Sequence, residues 1–169
     1  MRPLKGKHIV VGVTAGIAAY KAVELVSRLY KAGAEVKVVM TKNATKFVSP
    51  LVFGEISKHK VAVEMFENVQ DWNVEHIAYA TWADAYVVAP ATANMIAKMS
   101  HGIADDMLST QLLATTAPVF VCPAMNSNMY AHPAVQESLT ILRGRGAHVL
   151  EPDSGLLACG VEGKGRLPE

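Results

Sequence analysis

The residues best able to do chemistry stand near the end of the chain, in the stretch LLACGVEGKGR at 156–166. Cys159 offers a thiol on a backbone loosened by Gly160, Gly163 and Gly165, with Lys164 and Arg166 close by in sequence. Cationic neighbours can lower a thiol's pKa, and they equally suit a substrate phosphate or carboxylate. The combination reads as a reactive thiol on a flap that can also exclude water. Cys122 differs: it ends an apolar run and reads as a small buried hydrophobe.

Four further stretches carry hydroxyls, amides and small residues directly after apolar runs. They are Thr14-Ala15-Gly16-Ile17, Thr41-Lys42-Asn43-Ala44-Thr45, Pro90-Ala91-Thr92-Ala93-Asn94 and Pro123-Ala124-Met125-Asn126-Ser127-Asn128-Met129. A hydroxyl and free N–H groups opening a helix suit a phosphate. The first stretch is not GxGxxG, and Met40-Thr41 places no acid where a ribose would need one, which disfavours a dinucleotide. A mononucleotide phosphate fits better, FMN being the familiar redox case; a merely structural Thr-Gly turn is the alternative.

Asn126 has two readings, a helix cap or an amide donating to a substrate carboxylate. Met125 and Met129 suit packing or the lining of an irregular pocket. Among the histidines, His8 and His148 fall in strands, His59 lies between lysines and His132 precedes Pro133, which leaves His76 and His101 as candidate bases. Asp105 and Asp106 are better placed as charges opening a helix than as an acid/base pair.

For the strand-end stretches to meet, the chain must alternate strands and helices, and its patterning does so. Strands are expected at 8–13, 35–40, 61–66, 85–89, 119–122 and 148–150, with helices after Gly16 and near 45–57, 75–82, 92–115 and 133–144. The expected fold is α/β: a doubly wound, Rossmann-like or flavodoxin-like parallel sheet with helices on both faces. Ligands of such sheets bind beyond the carboxyl ends of the strands. Residues 152–169 have too few apolar side chains for a regular element, so a Gly-rich substrate-covering flap is expected there, disordered until substrate binds.

A chain of 169 residues, 51% hydrophobic and 18% charged, suits one globular domain spanning 1–169. A net charge of +1 gives no reason to expect nucleic acid. Two cysteines without CxxC or zinc spacing point to free thiols, a reducing cytoplasmic setting and no metal. The N-terminus mimics a signal peptide, but Lys21 and Glu24 interrupt the apolar stretch and also exclude a membrane span there.

The motifs TAGIAAYK (14–21), PATANMIAK (90–98), GIADDMLST (102–110), PAMNSNMY (123–130) and ACGVEGKGRL (158–167) together resemble the phosphopantothenoylcysteine decarboxylases of coenzyme A biosynthesis. These are homo-oligomeric FMN-containing cysteine decarboxylases, and the likeness runs nearly end to end. It is strongest to the N-terminal domain of the bacterial bifunctional protein, whose second domain is a phosphopantothenate–cysteine ligase. The resemblance implies FMN held by Ala15, Gly16, Ile17, Thr41, Lys42, Asn43, Thr92, Ala93, Asn94, Met95 and Ala124, at an interface of a homo-trimer, which a dodecamer can extend. It implies His76 as base, Asn126 as the substrate-holding amide and Cys159 as proton donor, with Met129, Lys164 and Arg166 beside the substrate. Met95 departs from the family's frequent Thr, removing a hydroxyl from that position.

The implied reaction converts 4'-phosphopantothenoylcysteine to 4'-phosphopantetheine. A cysteine carboxylate cannot lose CO2 without an electron sink, so the substrate thiol is first oxidised to a thioaldehyde, and the resulting enethiol is re-reduced. A thiol with a reference pKa of about 8.5 lies within reach of an imidazole base near about 6.5. Other expectations are a peptidyl-cysteine decarboxylase of the same family and a non-catalytic flavin-binding regulatory subunit. Flavin prenyltransferases share the expected fold but not the pairing of PAMN with Cys159.

Overall fold

The computed structural model describes residues 2–66 and 75–169, with only the backbone of Glu75. Five strands, β1 (His8–Val13), β2 (Glu35–Met40), β3 (Ala85–Ala91), β4 (Val119–Pro123) and β5 (His148–Val149), form a parallel sheet in the order β2-β1-β3-β4-β5. The apolar run of β1 exists because the strand is covered on both sides: Val10, Val11 and Val13 are fully buried. The order reverses between β1 and β3, which opens a crevice at their carboxyl ends. This is the doubly wound, flavodoxin-like arrangement expected.

Two expectations need correction. The strand expected at 61–66 contributes only an isolated bridge, Ala62 to Val39. Its apolar run is short, and Glu64 turns to an ion pair with Lys42 at 3.4 Å. The helix expected over 92–115 is two helices, α4 (Ala93–His101) and α5 (Met107–Ala114). Gly102 ends α4 at φ +69°, where a side chain would be strained. Asp106 then opens α5 with a capping box: it accepts from the Ser109 N–H at 2.7 Å and donates its own N–H to Ser109 Oγ at 3.1 Å. Lys98 braces the bend by pairing with Asp105 and Asp106.

The other helices are α1 (Lys21–Lys31), α2 (Pro50–Ser57), α3 (Glu75–Trp82), α6 (Ser127–Ala131) and α7 (Pro133–Gly144). Short 3-10 turns at 17–20 and 44–46 precede α1 and α2. Helices α1 and α2 close a core with Val11, Val13, Val36 and Val38; Met95, Ile96, Leu108 and Leu139 build the core on the other face. On the α1 side, however, β3 to β5 are only partly covered. A groove of about 970 Å³ remains there, lined by Leu25, Val87, Ala89, Phe120, Cys122 and Leu150 among others.

The Gly-rich end is also corrected. Strands β6 (Asp153–Leu156) and β7 (Glu162–Arg166) pair antiparallel as a hairpin, with Cys159 in the turn between them. Side-chain hydrophobicity does not drive this element; backbone pairing and docking do. A Cβ at Gly165 would overlap the Met125 carbonyl and one at Gly163 would overlap Ser127 Oγ, so both positions let β7 lie directly on the 125–127 loop. The Met125 N–H donates to the Gly165 carbonyl at 3.0 Å.

Candidate active site

At the crevice, Thr14 is almost fully buried. Its hydroxyl donates to the Pro90 carbonyl at 2.6 Å and accepts from the Thr92 N–H at 3.0 Å. The hydroxyl expected to face a phosphate is thus turned inward, because two loops meeting at a sheet crevice leave buried backbone groups that need partners. Ala15, Gly16 and Ile17 remain at the opening. The first N–H groups of the 17–20 turn have no partner inside it, and nothing lies within 4 Å of a Cβ placed at Gly16.

The neighbouring loops complete this opening. Thr92 caps α4, its hydroxyl accepting from the Met95 N–H at 3.2 Å, and Ala93 and Asn94 form the first turn. Met95 itself is buried in the core, so it anchors α4 rather than offering a side chain to a ligand. Thr41 closes its own turn through the Ala44 N–H, and Lys42 and Asn43 stand at the end of β2. The Ala124 N–H donates to Ala91, which ties the end of β4 to that of β3. Two helix N-termini, an unobstructed glycine and polar strand ends fit a phosphate-bearing mononucleotide such as a flavin.

Asn126 and Cys159 are brought together. The Asn126 side-chain oxygen caps α6, accepting from the N–H groups of Asn128 at 2.8 Å and Met129 at 3.4 Å. Its Nδ2 is therefore directed outward, and it donates to Cys159 Sγ at 3.6 Å. Both readings of this asparagine hold at once, since the cap is what aims the amide. Met129 is half exposed beside it.

Lys164 and Arg166 each have a carboxylate partner. Lys164 donates to Glu151 Oε2 at 2.6 Å, and Arg166 approaches Glu169 at 3.4 Å. Glu151 also accepts from Tyr130 Oη at 2.9 Å and from Arg143. The Lys164 hydrogen bond, with that of Tyr130, holds the Glu151 carboxyl below its ordinary range. No motif in the sequence announced Glu151, whose partners lie 8 to 21 residues away.

His76 sits in the first turn of α3. Trp82, at the other end of that helix, stacks on His8 at the amino end of β1, so the start of α3 points toward the carboxyl edge of the sheet. Among the described residues no hydrogen bond joins His76 to Asn126 or Cys159. His101 is engaged with Ser100 and the Ala97 carbonyl. Burial pushes the Cys122 thiol up to about 11, as befits a core cysteine. No group of three or more His, Cys, Asp or Glu among the described residues is placed to hold a metal ion.

Comparison with known proteins agrees with this geometry. A profile of the flavoprotein family matches residues 1–169. The coenzyme A biosynthesis bifunctional protein CoaBC of Bacillus subtilis is 51% identical over 98% of this chain, covering 41% of that protein. The Haemophilus influenzae CoaBC is 49% identical over 98% of this chain and 42% of its own length. The chain thus spans about two fifths of these curated relatives. Among solved structures, the FMN-dependent cysteine decarboxylase SpaF superposes with TM-score 0.85 at 30% identity, covering 95% of this chain and 90% of that one. A mutant PPC decarboxylase complexed with pantothenoylaminoethenethiol gives TM-score 0.85 at 28% identity, over 96% and 91% of the two chains. The chain belongs to the flavoprotein family, alongside the FMN-dependent cysteine decarboxylases that it resembles in sequence and fold.

Proposed function

We propose that this protein is an FMN-dependent carboxy-lyase that decarboxylates 4'-phosphopantothenoylcysteine to 4'-phosphopantetheine. The observation that carries this reading is the contact of Asn126 Nδ2 with Cys159 Sγ just beyond the carboxyl end of β4. The strand-end residues at 15–17, 41–43, 92–95 and 124 would hold FMN, which would supply reversible two-electron chemistry to the substrate cysteinyl group.

The chain's own residues do the rest. The amide of Asn126 has two N–H bonds. One donates to Cys159, and the other is available to hold a substrate carboxylate out of the plane of the developing π system. Cys159 delivers the last proton. His76, entering from the edge toward which α3 points, is the base for the substrate thiol, and the hairpin is the flap that excludes water. The partly covered face of β3 to β5 supports assembly into homo-trimers. A cytoplasmic setting fits two free thiols, and no helix among the described residues is long and apolar enough to cross a membrane. The CoaBC relatives support a ligase partner, fused or separate.

The test is direct. Purified protein with FMN should release CO2 from 4'-phosphopantothenoylcysteine and yield the reduced thiol; a flavin-loaded protein with no turnover would sink the reading. Cys159→Ser should still release CO2 but leave the enethiol unreduced. A peptide ending in cysteine serves as the competing substrate, since the SpaF likeness is of similar strength to that of the PPC decarboxylase.

A further inference from the structure

A two-stranded hairpin is marginal in water on its own, and β7 carries two glycines that add no apolar contact. The position of Cys159 therefore depends on what pins the hairpin to the body. Glu151, just before β6, gathers donors from three elements: Lys164 of β7, Tyr130 of α6 and Arg143 of α7. The Lys164 ammonium also lies over the Tyr130 ring at 5.5 Å. Helix α6 is the one whose N-cap is Asn126, and β7 is the return strand of the hairpin that carries Cys159.

We propose that Glu151 is a positioning residue for the proton donor: by holding Lys164 and Tyr130 on one carboxylate, it sets the Cys159 hairpin in register with Asn126. An isolated exposed ion pair contributes little. Here one carboxylate joins the supports of the two groups in the 3.6 Å contact, so a small loss of restraint moves the thiol rather than the fold. Lys164 is thereby a member of the clamp and not a ligand of the substrate. The proposal rests on the decarboxylase reading only for its kinetic consequence.

The experiment compares Glu151→Gln, Lys164→Met and the double variant in the flavin-loaded protein. Amide hydrogen exchange is followed over 153–166 with the β1 and β3 amides as a folding control. The expected result is exchange about tenfold faster in the hairpin of Glu151→Gln, the order expected for losing a charged hydrogen bond, with the central sheet unchanged. The Lys164→Met change should be similar and the double variant no worse than either single one. With 4'-phosphopantothenoylcysteine, the fraction of decarboxylated product left as enethiol should rise while KM stays constant. Unaltered hairpin exchange, additive effects of the two changes, or a raised KM with an unchanged product ratio would each overturn the proposal. If the wild-type protein does not turn over this substrate, the decarboxylase reading fails, while the exchange data still decide the clamp. Should Glu151→Gln disturb the central sheet, Tyr130→Phe replaces it, with the same outcomes expected.

Discussion

Asn126 divides one amide between two partners. Its oxygen holds α6 and its nitrogen reaches the thiol, so the two halves can be separated by substitution. Asn126→Asp keeps an oxygen for the cap but loses the donor and adds a charge facing the substrate carboxylate. Turnover should fall by a factor of about 10² to 10³, the scale of losing one oriented donor, while the thermal midpoint stays near that of the wild type. Steady-state kinetics and calorimetry on one preparation check both halves. The two thiols should also separate cleanly. Cys122 is buried and its pKa pushed up to about 11, whereas Cys159 is exposed. Iodoacetamide at about pH 8, close to the reference value of a free thiol, should add a single label, and peptide mass mapping should place it on Cys159.

The hairpin shows what an element adds to its residues. With the Glu151 carboxyl held below its ordinary value of 4.5 by Lys164 and Tyr130, the clamp contributes stability that is complete above that value. It is lost as pH falls through the folded pKa. Acidification should therefore free the 153–166 amides before the central sheet, a sequence that exchange at graded pH can follow. The strand-end motifs and the alternation of elements were legible in the chain because backbone period and turn chemistry are local. Hairpin β6–β7 was not, because its reason lies in Gly163 and Gly165 meeting a loop some 40 residues earlier. The inward hydroxyl of Thr14 was hidden likewise: its partners Pro90 and Thr92 are distant in sequence. Cys159 and Asn126 were readable as candidates, but their mutual contact was not, because they lie 33 residues apart.

At the scale of the molecule, one face of the sheet is finished by α1 and α2 only over β2 and β1, and the remainder is a groove. Two copies that cover this groove should make the protein a stable oligomer at micromolar concentration. Sedimentation velocity should show the single-chain species reappear when Phe120→Glu places a charge in the groove. Leu167, which follows β7, is buried against Ala89 and Cys122 at the edge of this same groove, and its carbonyl accepts from Lys21 Nζ at 3.2 Å. The strand that steadies the thiol is thus moored beside the groove that we propose neighbouring copies cover. Specific activity should consequently fall on dilution, in step with loss of the oligomer by mass photometry, because a lone chain leaves the groove beside that mooring open to water. Competence would then be a collective property, set by how many copies are present as much as by any side chain.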